Sequence, residues 1–344
     1  MCPATGEAHK VRIAEMLPVE GAGGDLWTLM QQAGVTDAVG SLPAPPPRID
    51  VNSADLPWDY LPMARTKDLY ERNGFQLGVI EWRPPLNLAK RGLPGRDEQI
   101  DAVCTLLRNM GRLDIPVWCY EWMTDRNWVR TSTAIPSRGG STVTGFNRSV
   151  FEAGPPPPLG PISEAQLWAN LEYFLAKVLP VAEEAGVRIA MHPDDPPLSP
   201  LGGIGRIMSS VAGFERLLEI SHSPVNGITF CQGNFRLMTD DLPATIRELG
   251  TTGKIFFVHF RDVEGTAENF VETWHDAGPT DMLACIEAYR DIGFDGLMRS
   301  DHVPTLHGEV GLPAGYGALG RLFAVGYMRG LLEGAARTAG PGYR

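Results

Sequence analysis

Four side chains with metal-binding chemistry each close a short apolar run of the sequence. The runs read VRIAM, GITF, IFFV and GLMR, and the polar residues at or just after their ends are His192, Cys231, His259 and Asp301. Successive members are about 40, 30 and 40 residues apart, the length of a strand, a helix and two loops. In a parallel barrel such positions converge on one face, where (β/α)₈ enzymes place their chemistry. Two imidazoles, a thiolate and a carboxylate there predict a divalent-metal site.

Each of these residues alone has a plainer interpretation. A histidine at a strand end is usually a hydrogen-bonded structural group, a lone buried cysteine is usually a small hydrophobe, and an aspartate after a strand often caps the next helix. Their joint placement after the fifth to eighth predicted strands favours the metal. A mixed N, S and O shell favours Mn²⁺, Fe²⁺, Co²⁺ or Zn²⁺ over Mg²⁺ or Ca²⁺. It suits either a closed zinc site or a larger ion that leaves positions for a chelating substrate.

The elements that must position these residues alternate along the chain as strand and helix. We predict eight apolar, unalternating strands, at Val11–Met16, Asp37–Leu42, Gln76–Trp82, Pro116–Trp122, Val187–His192, Gly227–Cys231, Lys254–Phe260 and Phe294–Arg299. We predict helices at Asp25–Ala33, Ala64–Asn73, Asp97–Arg112, Glu164–Ala185, Ala212–Ser221, Leu242–Leu249, Thr280–Asp291 and Gly317–Ala335. This alternation predicts an α/β fold of the (β/α)₈ TIM-barrel type. No glycine-rich nucleotide fingerprint follows the first strand, which disfavours an open doubly wound sheet.

Two predicted loops depart from a minimal barrel. The proline-rich stretch at about 43–63 follows the second strand, and the extended loop at 123–163 separates the fourth strand from its helix. We interpret both as caps over the barrel mouth, since most loops of the latter length are functional or disordered. No internal repeat or domain boundary is apparent, so residues 1–344 are predicted to form a single catalytic domain.

Composition limits the setting and the partners. The chain has 344 residues, 43% of them hydrophobic and 21% charged, and a net charge of −11, which argues against nucleic-acid phosphate as the main partner. Its five cysteines form no CxxC pattern, so a reducing cytoplasm is expected. The start, MCPATGEAHK, lacks the apolar core of a signal peptide, and no apolar window is long enough for a membrane span. We expect a cytoplasmic homo-oligomer with a small-molecule substrate.

The chain resembles the mannonate dehydratase family, most strongly over about residues 164–335. The segments that carry the resemblance are LPVAEEAGVRIAMHPDDPP, NGITFCQGNF, VHFRDV, MRSDH and GYGALGRL, with CYEWM and WVRT upstream. The resemblance implies a xylose-isomerase-like TIM barrel and a metal-dependent lyase. Such an enzyme dehydrates a sugar acid, D-mannonate, to a 2-keto-3-deoxy acid.

The resemblance also implies roles for residues near the predicted site. It assigns Mn²⁺ to the two histidines, the cysteine and the aspartate singled out above. The ion would acidify the α-carbon proton and stabilise the enediolate that forms. His302 and Tyr316 stand at the family's acid–base positions, and which of them is base and which acid stays open. Tyr316 could instead be a packing residue at a helix start, and His302 could orient Asp301.

Six further residues are candidates for substrate contact: Glu81, Glu121, Trp122, Trp128, Arg130 and Arg299. The two glutamates end the third and fourth predicted strands, and they either bind hydroxyl groups or form salt bridges with arginines. The arginines can pair with an anionic substrate, because a guanidinium clamps a carboxylate through its planar fork. The tryptophans offer apolar platforms.

The chain departs from the family pattern at two histidines. Where the family carries a segment such as LHHIP after the second strand, this chain reads GSLPAPPP. Where Gly-His follows MRSDH in the family, Val303 and Pro304 stand here. These apolar replacements predict a retained metal chemistry with an altered, less polar substrate pocket.

Three other functions remain open at this point. An isomerase or epimerase could use the same metal site on a non-mannonate substrate. A zinc hydrolase would need a metal-activated water and a base such as Glu121 or Asp194. A non-catalytic barrel that binds a sugar acid would have no use for an acid–base pair, so His302 and Tyr316 argue against it.

Overall fold

The computed structural model describes residues 11–43, 55–309 and 313–338, and twelve strands in these residues are numbered here in chain order. Eight of them are parallel and close into a barrel in the order β1, β12, β9, β8, β7, β4, β3, β2. This confirms the predicted (β/α)₈ barrel. The bounds of the barrel strands are β1 Arg12–Met16, β2 Asp37–Gly40, β3 Gln76–Ile80, β4 Val117–Glu121, β7 Arg188–His192, β8 Asn226–Cys231, β9 Ile255–Phe260 and β12 Leu297–Ser300.

The barrel strands are apolar because both of their faces are covered. In β2, β4, β8, β9 and β12 every residue is buried, as expected of a parallel sheet under helices. One apolar cluster fills the barrel interior and includes Ala14, Val79, Phe257 and Leu297. A much larger cluster includes side chains of the surrounding helices. The floor beneath the polar strand ends is therefore apolar.

The predicted helices are present, with three short ones added. Their bounds are α1 Asp25–Gln32, α2 Tyr60–Arg72, α3 Asn87–Arg91, α4 Arg96–Arg112, α5 Arg148–Glu152, α6 Glu164–Ala185, α7 Val211–Ile220, α8 Gln232–Arg236, α9 Leu242–Gly250, α10 Met282–Asp291 and α11 Ala318–Thr338. Among the described residues, no helix is both long and apolar enough to cross a membrane.

The second helix corrects one predicted loop. Helix α2 begins at Tyr60, ahead of the predicted Ala64, because a proline such as Pro62 is tolerated in the first turn of a helix. Residues 60–63 therefore belong to the helix and not to the predicted cap at 43–63. Residues 44–54 of that cap lie outside the described part of the chain.

The extended loop after the fourth strand contains regular secondary structure that was not predicted from the sequence. It contains β5 Ser132–Pro136 and β6 Thr142–Asn147, followed by α5. These strands join β10 Val263–Thr266 and β11 Asn269–Glu272, a hairpin that follows β9, in an antiparallel sheet of order β10, β11, β6, β5. We call this the accessory sheet. Packing of Phe146 on Phe270, with ring centroids 5.9 Å apart, ties its two halves together.

Candidate active site

Four polar side chains from four strand ends meet at the mouth of the barrel. His192 ends β7, Cys231 ends β8 and His259 is next to last in β9. Ligand-capable atoms of these three all lie within 4.8 Å of one another, and Nε2 of His192 is 3.2 Å from Nδ1 of His259. Asp301 follows β12, and its Oδ2 lies 3.8 Å from Sγ of Cys231 and 3.7 Å from the same Nδ1. The parallel register, in which Cys231 pairs with His259, produces this convergence.

This donor set fits a divalent ion of intermediate softness, because it combines imidazole, thiol and carboxylate. All four side chains are buried. Burial, with His259 beside it, lowers the pKa of His192 to about 4, so the imidazole is neutral and keeps a lone pair for a metal. Burial raises the pKa of the Cys231 thiol. A bound cation deprotonates a coordinating thiol, so the thiolate form of Cys231 goes together with metal binding.

Two arginines hold the carboxylate of Asp301 in place. Nη1 of Arg299 lies 2.9 Å from Oδ1, and Nη1 of Arg261 lies 3.1 Å from Oδ2. Arg299 also donates two hydrogen bonds to Glu81, of 2.9 and 2.8 Å. Burial by itself would raise the pKa of Glu81, but Arg299 and His259 outweigh it and lower the pKa to about 2. The predicted substrate contacts Glu81 and Arg299 are thus paired with each other beside the metal-binding group.

His302 and Tyr316 lie side by side next to Asp301. The Tyr316 hydroxyl is 3.4 Å from Nε2 of His302 and 3.5 Å from Oδ1 of Asp301. Burial lowers the pKa of His302 well below its usual range, and burial raises the pKa of Tyr316. At neutral pH the pair therefore offers a neutral imidazole that can accept a proton and a phenol that can donate one.

Arg130 clamps a carboxylate, as its planar fork suggested, but that carboxylate belongs to the protein. Its two terminal nitrogens lie 2.6 and 2.9 Å from the oxygens of Asp195, and one is 2.6 Å from Glu272 on β11. Arg261 continues the network, because its Nη1 also lies 3.2 Å from Asp195. Arg130 approaches the acid–base pair too, at 3.5 Å from Nε2 of His302.

Two residues of the site, Arg261 and Glu272, were not predicted from the sequence. Arg261 stands two residues after His259, and alternate residues of a strand share one face, so the strand period could have placed it at the mouth. Glu272 could not have been found in this way, because it reaches the site from the accessory sheet.

Glu121 does not join the metal-binding group. Its two oxygens lie 2.7 and 2.8 Å from Nζ of the fully buried Lys90, and Oε1 is 2.6 Å from Nε of Arg83. Asn127 and the backbone of Met123 complete its partners. Glu121 was predicted either to bind substrate hydroxyl groups or to form a salt bridge, and its contacts are those of a salt bridge.

The two candidate tryptophans lie in different environments. Trp122 is a correction to the predicted substrate contacts: it is 2% exposed, packs on Phe174 of α6 and donates its indole N–H to the Leu167 carbonyl. Its side chain therefore belongs to the core outside the barrel. Trp128 is 43% exposed, has a positive φ of 47°, and its ring lies 6.1 Å from that of His192. Trp128 is thus an apolar wall beside the metal-binding group.

The closed parallel barrel and the converging nitrogen, sulfur and oxygen donors define an α/β-barrel enzyme with a candidate metal centre. More particularly, the chain belongs to the D-mannonate dehydratase family, whose model matches residues 21–157 and 158–340. Members of this family are metal-dependent hydro-lyases, which confirms the resemblance seen in the sequence.

Individual relatives agree with this assignment. The chain is 34% identical to mannonate dehydratase 2 of Halalkalibacterium halodurans, over 80% of this chain and 87% of the relative. It is 32% identical to the mannonate dehydratase of Thermotoga maritima, over 89% and 92%. The crystal structure of mannonate dehydratase from Streptococcus suis serotype 2 superposes with a TM-score of 0.85 at 32% identity, covering 96% of this chain and 95% of that one. A xylose isomerase domain protein from Planctomyces limnophilus, at 12% identity and a TM-score of 0.60 over 95% and 99% of the two chains, shares the fold.

Proposed function

We propose that this chain is a Mn²⁺-dependent, cytoplasmic hydro-lyase that removes water from a sugar acid or a related hydroxy acid. One observation carries the proposal: the donor atoms of His192, Cys231 and His259 gather within 4.8 Å, with Asp301 beside them and an acid–base pair next to Asp301. These four residues would hold the ion. When bound, the ion draws electron density from the substrate carboxylate and makes the α-carbon proton easier to remove.

The acid–base pair supplies the proton transfers. The neutral Nε2 of His302 suits it to accept the α-carbon proton, and the protonated Tyr316 suits it to donate to the leaving hydroxyl. The C–H bond at the α-carbon and the C–O bond at the β-carbon break, water leaves, and the resulting enol becomes the 2-keto-3-deoxy acid. Neighbouring ion pairs hold these groups in place: Arg299 bonds to Glu81, and Arg261 bonds to Asp301.

We further propose that the substrate is less polar than mannonate at the end away from its carboxylate. The exposed ring of Trp128 stands beside His192, and Val303, where the family has glycine, is buried. Neither of these side chains can hydrogen-bond a polyol except through the indole N–H.

Steady-state assays on the protein stripped of metal and reloaded with Mn²⁺, Fe²⁺, Co²⁺ or Zn²⁺ test the proposal. We expect turnover to be restored best by Mn²⁺, with a product lighter than the substrate by one water. We also expect a deoxy sugar acid to have a higher kcat/KM than D-mannonate. Efficient turnover of D-mannonate would contradict the altered pocket while leaving the lyase intact. A product of unchanged mass would instead indicate an isomerase or epimerase.

Substitution of the acid–base pair tests the mechanism separately. Tyr316→Phe and His302→Asn should each lower kcat by about 10²–10⁴-fold, the usual contribution of a positioned acid or base. Metal content, measured by elemental analysis, should stay at the parent level because neither residue is a proposed ligand. Tyr173→Phe, which removes a hydroxyl of α6 that bonds to Asp97 of α4, is the matched control and should leave kcat unchanged. Parent-level turnover by Tyr316→Phe would remove Tyr316 from the mechanism.

A further inference from the structure

A buried carboxylate ties together the segment that carries Tyr316. Glu309 is only 5% exposed, yet none of its hydrogen-bond partners among the described residues is basic. Its Oε2 accepts the backbone N–H of Leu306 at 2.9 Å, and its Oε1 accepts the backbone N–H of Leu319 at 2.8 Å. Leu319 lies in the first turn of α11, where free N–H groups and the helix dipole favour a negative charge. One side chain therefore joins the chain after β12 to the start of α11.

The glycines on either side of Tyr316 are closely packed, Gly317 against Glu309 and Gly315 against His302. A Cβ on Gly317 would lie 2.4 Å from Oε2 of Glu309, closer than real Cβ contacts allow. Gly315 has a positive φ of 83°, and its carbonyl accepts the backbone N–H of Val303 at 2.8 Å. A Cβ there would lie 3.3 Å from Nδ1 of His302. The backbone around Tyr316 is thus held on one side by Val303 and His302, through Gly315, and on the other by Glu309, through Gly317.

We propose that Glu309 is a positioning residue for the reaction, one that acts by fixing the hydroxyl of Tyr316 against His302. The proposal rests on the function proposed above, in which Tyr316 moves a proton. Small displacements of a catalytic group cost large factors in rate, and a misplacement of about 1 Å can cost about 10²-fold. The present separation of 3.4 Å between the Tyr316 hydroxyl and Nε2 of His302 leaves little room for such a displacement.

The amide variant Glu309→Gln isolates this role. Glutamine has the same size and keeps one acceptor oxygen, but its NH₂ group cannot accept a hydrogen bond. One of the two backbone N–H groups then faces another donor, and one end of the segment is released. We expect kcat to fall by about 10-fold or more, with KM and Mn²⁺ content within about 2-fold of the parent, because Glu309 does not contact the metal-binding residues.

A double-mutant cycle distinguishes positioning from general stability. Glu309→Gln, Tyr316→Phe and the double variant are compared as Mn²⁺-loaded enzymes on D-mannonate and on the best substrate of the panel. If Glu309 acts through Tyr316, the double variant should have the kcat of Tyr316→Phe alone. If Glu309→Gln alone keeps the parent kcat, or if the two factors multiply, the proposal is overturned. If Tyr316→Phe turns over like the parent, the proposed role of Tyr316 falls, and this proposal with it.

Two further variants keep the experiment decisive. If Glu309→Gln does not fold, Gly317→Ala replaces it in the cycle, because the added methyl group pushes on the same carboxylate. Asp281→Asn is the matched control: Asp281 caps α10 by accepting the backbone N–H of Ala284 at 2.9 Å. It should leave kcat unchanged in both the parent and the Tyr316→Phe background. An Asp281 variant that mimicked Glu309→Gln would show that any loosened helix start has this effect.

Discussion

At the scale of single residues, the site is organised by buried charges that share partners. Three arginines are matched by four carboxylates, so a bound divalent ion and a thiolate would bring the cluster to overall neutrality. An unpaired charge in such a place costs several kcal/mol, which is why each guanidinium contacts at least one carboxylate. The members are Arg130, Arg261, Arg299, Glu81, Asp195, Glu272 and Asp301.

The Arg261 side chain packs directly against Gly233, where there is no room for a larger residue. A Cβ on Gly233, in α8, would lie 2.2 Å from Nε of Arg261 and 2.9 Å from its Cγ. Gly233→Ala must therefore displace the buried Arg261 side chain that bonds to Asp301, and we expect it to lower kcat/KM at least 10-fold. Overpacking should also lower the free energy of unfolding by about 1–3 kcal/mol. Steady-state kinetics and urea denaturation measure the two effects.

The control for this substitution is another glycine with free space around it. Gly326 is exposed in the middle of α11, and a Cβ there would meet nothing within 4 Å. Gly326→Ala should leave kcat/KM unchanged and raise stability by about 0.5–1 kcal/mol, because alanine favours a helix interior. A Gly233→Ala enzyme with parent kinetics would show that Arg261 can move without consequence.

At the scale of elements, the loop after β4 is fixed at the barrel mouth by buried polar contacts. Lys90 of α3 donates three hydrogen bonds, two to Glu121 at the end of β4 and one to the Met123 carbonyl. Asn127 bonds to the same glutamate at 3.1 Å, and Trp128 follows directly. The pair Lys90–Glu121 therefore anchors the loop that holds the apolar wall beside His192.

This anchor makes an acid-sensitive contribution to stability. Burial alone would raise the pKa of Glu121, but Lys90 and Arg83 outweigh it and lower the pKa to about 2. Burial also lowers the pKa of Lys90 to about 7. Its Nζ donates to three acceptors, however, which requires the ammonium form, so the pair is charged. Since the folded pKa of Glu121 lies below the usual 4.5, its stabilisation is complete above pH 4.5 and is lost as the pH falls towards 2.

Glu121→Gln should therefore destabilise the protein most at neutral pH. We expect a loss of about 3–5 kcal/mol at pH 7, because Lys90 stays buried without its counter-ion. The difference between parent and variant should shrink as the pH falls from 5 to 3, as measured by urea denaturation. Glu172→Gln, in an exposed pair with Arg216, should differ from the parent by less than about 1 kcal/mol at every pH. A pH-independent Glu121→Gln difference would contradict the assigned charge.

The contrast between barrel and accessory sheet shows what the sequence can predict. His192, Cys231 and His259 were predictable because each closes an apolar run, and the strand period fixes where it points. The accessory sheet was not, because β6 and β11 pair across about 120 residues, and neither has enough apolar alternation alone to indicate a strand. The prediction that Trp122 contacts substrate was wrong because adjacent residues at a strand end point to opposite faces of the sheet. Glu121 points into the barrel, so Trp122 points outwards to the helices.

At the scale of the whole molecule, hydrogen bonds of residues next to the site connect the first strand of the barrel, β1, to the last, β12. Arg299 on β12 reaches Glu81 after β3, Ser300 bonds to Glu15 on β1, and Arg321 of α11 bonds to the Met16 carbonyl. The proposed ligands themselves come from β7, β8, β9 and the residue after β12. Because these strands are distant in sequence, an unfolded chain does not present the four donors together. Metal binding should therefore stabilise the complete barrel.

Metal removal is expected to lower the melting temperature. An ion that binds only the folded state stabilises it by about 2.7 kcal/mol at 100 times its Kd, and by more as its concentration rises. Protein treated with a chelator should melt several degrees lower than protein with excess Mn²⁺, as scanning calorimetry can measure. Cys231→Ser should lose most of this response, whereas Cys104→Ser, a buried cysteine of α4, should keep it. An equal Mn²⁺ response in both variants would place the ion elsewhere, because Cys231 is the proposed sulfur ligand and Cys104 lies on α4.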